Sequence, residues 1–375
     1  MKYALFILTL ALGFAAAGQN APNPGDSVVS PQVLSGDRLR FSIYAPAADS
    51  VALRGDWIGL HGYGMVPLAR QANGIWTYTT DPLTPDLYTY DLYVDGVHTL
   101  DPKNTRIKDG MFSLSNLANL PGPEEDFLTR KPGPQGTVSE VWYPSKSFDM
   151  IRRMHIYLPP GYETSDKKYP VLYLLHGYGD NDADWTSVDR ANTILDNLID
   201  SGKAVPMIIV MPTGMEPGMG FLAMSAGPDS DPFLADLLYS IIPYVNSHFR
   251  VKPGYTYRAL AGLSMGGAQT LNIALFYPGT FAWFGVFSSG YFPPYQKVLV
   301  NKYPEVLRNP KINKDTHLFW IALGSEDPFF VTSNQATRAI FDRYGIHYEF
   351  HESGGAHTYM NWRRYLYTFA ERIFR

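Results

Sequence analysis

The chain has 375 residues, 45% of them hydrophobic, enough for two domains with sizeable cores. A formal net charge of −4 and a pI near 6.1 carry no basic footprint for nucleic acid. There is no cysteine, which excludes disulfides, thiolate metal sites and a cysteine nucleophile.

Residues 1–18 read as an export signal: Lys2, an apolar run from Tyr3 to Phe14, then Ala15-Ala16-Ala17 for cleavage. The run is shorter than the roughly 20 apolar residues a spanning helix needs. The expectation is a secreted or periplasmic protein with no membrane span. From Arg38 to Asp101 the pattern is all-β. Leu39 to Tyr44 alternates with period two, and Ser50–Gly55, Gly74–Thr79 and Leu87–Val94 follow as strands. Asp95-Gly96 is a tight hairpin turn into Val97–Leu100. Short strands between turn residues predict a β-sandwich over residues 28–125. Trp57, Trp76 and the neighbouring tyrosines could stack on sugar rings, but their alternating strand positions favour a place in the core. Pro121-Gly122-Pro123 and Pro132-Gly133-Pro134 are stiff breaks that place a linker over 126–136.

Phe41 to Pro46, Gly55-Asp56-Trp57, Gly74-Ile75-Trp76, Pro85 to Tyr90 and Val94-Asp95-Gly96 before Asp101-Pro102 carry a resemblance. The segment is similar to the family 48 carbohydrate-binding modules that precede glycogen-branching enzymes and isoamylases. The resemblance implies an immunoglobulin-like fold; sugar binding does not follow, because many such modules are docking platforms.

From residue 137 the pattern changes. Thr137–Tyr143 and Met150–Leu158 read as strands, and Tyr169–Leu175 is an apolar run suited to a strand buried on both faces. Ala191–Ser201 reads as a helix, Met207–Met211 as a strand, and Phe233–Phe249 as a helix kinked or divided at Pro243. Strands at Arg258–Ala261, Phe284–Ser288, His317–Leu323 and His347–Glu352 alternate with helices at Gly267–Tyr277, at Ser333–Tyr344 and from Tyr359. This alternation predicts an α/β sheet.

Gly262-Leu263-Ser264-Met265-Gly266 matches G-x-S-x-G between a strand and a helix, which is the nucleophile elbow of an α/β-hydrolase. A serine needs a base, and the base an orienting acid, in the order Ser, Asp or Glu, His. His317, His347 and His351 sit at strand positions, whereas His357 lies in a glycine-rich loop between the last strand and the last helix. His357 is therefore the expected base. Asp327, past the end of a strand in Gly324-Ser325-Glu326-Asp327-Pro328, is the expected acid, with Glu326 the alternative. The backbone N–H groups of Met265 and of Tyr178, in His176-Gly177-Tyr178-Gly179, are the expected oxyanion donors. His176 is read as structural.

Tyr157 to Tyr162, Tyr169 to Gly177, Asp184-Trp185, Ile209 to Pro212, Gly262 to Gly267, Gly324 to Asp327, and His357 followed by Trp362 resemble the esterase D-like family. That family includes feruloyl and acetylxylan esterases (carbohydrate esterase family 1), mycolyltransferases of the antigen-85 type and enterochelin esterases. The resemblance covers nearly all of 137–375 and implies the same triad, Ser264, Asp327 and His357. Such chemistry requires no metal and no organic cofactor.

Met215 and Phe221, in the long 214–232 loop, are candidates for an apolar acyl wall. Trp185 and Tyr291 are further pocket candidates. An exported esterase behind a sandwich resembling a glycan module suggests hydrolysis of feruloyl esters on xylan, with feruloylated or acetylated plant polysaccharide as partner. The alternatives are an acetylxylan esterase, an enterochelin-type esterase, and a glycan-binding protein with an inactive esterase domain.

Overall fold

A computed structural model describes residues 23–59, 64–215 and 231–375. The reading of residues 1–18, and Phe221 with most of its loop, lie outside the described residues. Alternation builds the first unit: in Arg38–Tyr44, Leu39, Phe41 and Ile43 share one face and are buried. Its strands are β1 (Gln32–Leu34), β2 (Arg38–Tyr44), β3 (Val51–Gly55), β4 (Met65–Pro67), β5 (Ala69–Arg70), β6 (Ile75–Thr79), β7 (Asp86–Val94), β8 (Val97–Thr99), β9 (Ile107–Asp109) and β10 (Leu114–Leu120). One antiparallel sheet runs β1-β2-β6-β5; the other runs β4-β3-β7-β10-β9, with β8 on β7. The Asp95-Gly96 turn has φ of +49° and +78°, the conformation a two-residue hairpin demands.

Trp76, Tyr88 and Tyr90 are buried in the sandwich core, and Trp57 packs between Phe41 at 5.3 Å and Tyr88 at 5.4 Å. The core reading of these rings therefore holds over sugar stacking. β9 and β10 were not expected. Leu-Ser-Asn-Leu-Ala-Asn-Leu has little β propensity, but β10 is paired on both sides, and buried Asn116 accepts from the Asp101 N–H at 2.7 Å. Tertiary pairing overrides local preference here. The expected linker is packed as well: Leu128 is buried against the second unit, and Asn197 donates to the Phe127 carbonyl.

The second unit is an eight-stranded sheet: β11 (Thr137–Ser145), β12 (Met150–Leu158), β13 (Val171–Leu175), β14 (Ile208–Pro212), β15 (Arg258–Leu263), β16 (Trp283–Phe287), β17 (Leu318–Gly324) and β18 (Glu349–Ser353). The order is β11-β12-β14-β13-β15-β16-β17-β18. β11 and β12 are antiparallel and the sheet is parallel from β14 onward. Every residue of β13 to β17 except Arg258 is buried, because helices cover both faces. Around Pro243 the helix is divided: Pro232–Asp236 passes through a π turn at Leu237–Ile241 into Ile242–His248, with the proline in the first turn of the last piece.

The two units share buried groups. Leu87 and Leu117 of the sandwich join the core under the helix Tyr359–Ala370. Fully buried Arg363 donates to Asp86 at 2.5 Å, and Arg364 donates to the other oxygen of Asp86 at 2.9 Å. Among the described residues no helix is long and apolar enough to cross a membrane.

Candidate active site

β15 ends at Leu263, and the helix Met265–Phe276 begins two residues on. Between them Ser264 is held at φ +50° and ψ −110°, with its N–H on the Phe287 carbonyl at 2.8 Å. The turn leaves no room for side chains. A Cβ on Gly262 would stand 2.4 Å from the Gly266 carbonyl carbon, and one on Gly266 would stand 2.6 Å from Leu175 Cβ. This is the strained geometry the elbow motif implies. The helix N-terminus at Ser264 presents N–H groups that have no partner within the helix.

β17 and β18 bring the acid and the base together. Ser325 N–H reaches the Ser353 carbonyl at 2.8 Å and Glu326 N–H reaches the Gly355 carbonyl at 3.0 Å, so the two loops are zipped. Buried Asp327 accepts the N–H groups of Phe329 and Phe330, each at 3.0 Å, on one oxygen and pairs with His357 Nδ1 at 2.8 Å on the other. Against an ionised carboxylate Nδ1 is the donor, which leaves Nε2 as the basic nitrogen. The ring is caged by Phe330 (stacked, 5.4 Å), Trp362 (edge-on, 4.9 Å) and Phe329 (edge-on, 5.3 Å). Glu326 is exposed and takes no part in this contact.

Ser264 and His357 line one cavity of about 480 Å³, together with Tyr178 and the rings of Phe292, Phe329, Phe330 and Trp362. Its other wall belongs to the sandwich: Arg54, Asp56, Asp91, Lys108, Phe112 and Ser113. Both cations are paired, Arg54 with Asp91 at 2.5 Å and Lys108 with Asp180 at 2.7 Å. Desolvation of the half-buried Asp56 raises its carboxyl above the ordinary range against the hydrogen bonds from Thr89.

Buried His176 accepts the Gly214 N–H at 2.8 Å and bonds the Gly177 carbonyl at 2.7 Å through Nδ1. Burial lowers its pKa. The neutral ring ties the 177–180 loop to the end of β14, so it shapes the loop.

Three expected pocket residues are elsewhere. Trp185, 1% exposed, packs edge-on to Phe287 inside the core. Tyr291 is fully buried against Tyr295, with its hydroxyl on Asn272 at 3.1 Å. Met215 is fully buried behind Met265, and its carbonyl is held by Arg152 at 3.0 Å. None of the three lines the cavity. Sequence reasoning missed the aromatic cage and the whole sandwich wall. Phe329 and Phe330 follow Asp327 closely enough for their backbone N–H groups to bond its carboxylate, and that nearness is the signal that could have found them.

A serine–aspartate contact outside this cavity is structural. Ser145 donates to Asp236 at 2.5 Å, but Tyr143 (2.7 Å) and Arg152 (2.9 Å) hold the same carboxylate. The group is buried under β11 and β12, away from the cavity, and serves as a structural pin.

Residues 145–372 match the family described as "Putative esterase", more than half of the chain. The chain belongs to this esterase family. The esterase is 33% identical over 353 residues to an endo-1,4-beta-xylanase/feruloyl esterase of Xylanibacter ruminicola, an alignment covering 92% of this chain and 46% of that protein. It is 37% identical over 129 residues to Esterase Rv1288 of Mycobacterium tuberculosis, covering 34% and 27%. The chain thus spans less than half the length of these relatives. Among solved structures, a ferulic acid esterase of Anaeromyces mucronatus superposes with a TM-score of 0.56 at 25% identity, over 66% of this chain and 94% of that one. The enterochelin esterase of Shigella flexneri superposes with a TM-score of 0.69 at 16% identity, over 92% and 95%. That likeness is one of fold and spans both units.

Proposed function

We propose that the esterase cleaves hydroxycinnamoyl esters of plant cell-wall xylan through an acyl-enzyme, with Ser264 as nucleophile, His357 as base and Asp327 as its orienting acid. The observation that carries this reading is the Asp327–His357 pair opening, beside the strained Ser264, on one cavity walled by aromatic rings. Ser264 Oγ attacks the ester carbonyl while His357 Nε2 takes its proton. The tetrahedral oxyanion is held by the N–H groups of Tyr178 and Met265. His357 then protonates the departing sugar hydroxyl, and water repeats the sequence to release the acid. The rings of Phe292, Phe329, Phe330 and Phe112 suit a planar aromatic acyl group. Polar Arg54, Asp91 and Ser113 on the sandwich wall suit sugar hydroxyls. The name of the Xylanibacter relative agrees with this assignment.

An acetyl group would leave most of the 480 Å³ cavity unfilled. The fold likeness across both units favours an enterochelin-type substrate, but a triscatecholate anion needs unpaired cations. Here Arg54 and Lys108 each face a carboxylate, and Asp56 adds a third acid to the wall. We further propose export of the protein, on the reading of residues 1–18; amino-terminal sequencing of the exported protein tests it.

The test is product release from methyl ferulate and p-nitrophenyl acetate by the wild type and by Ser264→Ala. Serine-dependent ferulate release is expected. Acetate release alone would move the assignment to acetyl esters. Absence of both would leave siderophore turnover or glycan binding.

A further inference from the structure

The segment Ile107–Ser113 of the sandwich lies against the loop 177–181, which the proposed mechanism uses to hold the oxyanion. Four contacts join them. Met111 N–H donates to the Gly179 carbonyl at 2.8 Å. Asn181 donates through its side chain to the Asp109 carbonyl. The Phe112 and Tyr178 rings meet at 5.3 Å. Lys108 Nζ donates to Asp180 Oδ1 at 2.7 Å while lying 5.1 Å over the Tyr359 ring.

The last contact reaches the oxyanion loop itself. Asp180 is 5% exposed. Its Oδ1 also accepts the Tyr359 hydroxyl at 2.7 Å, and its Oδ2 accepts the Gly177 N–H at 3.2 Å. One carboxylate therefore joins three elements: the sandwich strand β9, the helix Tyr359–Ala370 and the first residue of the loop. A Cβ on Gly177 would stand 2.5 Å from Leu263 Cδ1 and 3.1 Å from Asp180 Oδ2, so a side chain there would press on both. Burial opposes the Lys108 charge, but Asp180 beside it more than compensates, so the ammonium stays charged and the pair stays ionic. Without Lys108, the buried Asp180 would lose its counter-charge, and its hold on Gly177 would become one of several arrangements.

We propose that Lys108 is a positioning residue for ester hydrolysis: through Asp180 it fixes the 177–179 loop so that the Tyr178 N–H faces the developing oxyanion. The sandwich is then part of the catalytic apparatus even for esters too small to reach any glycan-contacting surface. This rests on the reading of Ser264 and Tyr178 given above.

The test uses the full chain and p-nitrophenyl acetate, with phenylboronic acid as a probe that forms a tetrahedral anionic adduct on an active serine. Lys108→Met is expected to lower kcat about 100-fold, the cost of a misplacement near 1 Å, with KM within about 3-fold of wild type. Boronic acid affinity should fall in step with kcat. Lys108→Arg, which can keep the ion pair, should recover most of both. If Lys108→Met does not fold, Tyr359→Phe carries the test. It removes only the other donor to Asp180 Oδ1, and a drop in kcat of about 10-fold with matching boronate loss is expected. Unchanged kcat and boronate affinity in the folded variant, with Ser264→Ala inactive, would overturn the positioning role and leave the esterase reading standing. Full activity of Ser264→Ala would overturn that reading itself.

Discussion

Two of the histidine–aspartate pairs among the described residues have nearly equal geometry. His357 Nδ1 meets Asp327 at 2.8 Å, and His155 Nδ1 meets Asp182 at 2.7 Å. Both carboxylates are buried, and both rings are largely shielded. Their surroundings separate them. Asp327 takes its remaining bonds from backbone N–H groups, so its histidine is left to answer to the cavity. Asp182 faces the Arg153 guanidinium through both oxygens and the Thr213 hydroxyl. Burial would raise the Asp182 carboxyl, but hydrogen bonds from His155 and Arg153 overcome it and hold the pKa to about 2. The pair next to a strained serine is the one the proposed mechanism uses for proton transfer; the pair next to a guanidinium is a clamp between β12 and the start of the 182–187 segment. The contact distance alone does not distinguish them.

Substitutions can break this contrast. Ser264→Ala should cost roughly 10⁶-fold in kcat on an aryl ester with the fold intact, as when one member of a catalytic unit is lost. Loss of only a few fold would remove the serine from the mechanism. Asp327→Asn should cost roughly 10⁴-fold by favouring the wrong histidine tautomer, again with little change in melting temperature. Asp182→Asn should do the reverse. Chemical denaturation is expected to show a loss of about 2 kcal/mol, below the range for a fully buried pair because Arg153 is 32% exposed, with kcat of the folded protein within a few fold. A large kcat loss there would make the two pairs functionally alike. The smallest effect is one of pH. The Asp182 pKa is lower in the folded chain than in the unfolded one, so its stabilisation is full above about pH 4 and fades as pH falls toward 2. In Asp182→Asn that part of the acid sensitivity should disappear from the melting curve.

The strained turn at Ser264 and the Asp327–His357 contact were legible because each residue is announced locally, by glycines around Ser264, by a strand end before Asp327 and by Gly354-Gly355 before His357. The strand–helix alternation was legible for the same reason. The sandwich wall of the cavity was not, because Lys108 and Asp180 are 72 residues apart and no pattern in either segment refers to the other. Pro293–Lys302, Pro304–Leu307 and Lys311–Lys314 went unread since their apolar residues show no steady period, though each of the first two opens on a proline suited to a first helical turn. Trp185 and Tyr291, read as pocket candidates, lie in the core instead. Their rings turn inward because the hydrophobic term favours burying so large a surface wherever the chain allows.

The buried junction between Asp86 and Arg363 also bears on how the chain is made. The two residues are 277 positions apart. At about 5–20 residues per second, the sandwich waits roughly 15–55 s after Asp86 has been synthesised before its partner exists. Until that partner is made, Leu87 and Leu117, which join the second core, lack the helix that covers them and lie beside an unpaired acid. The sandwich is thus the unit whose inner face closes late, and that face is where nascent chains would be recognised by chaperones or associate with one another.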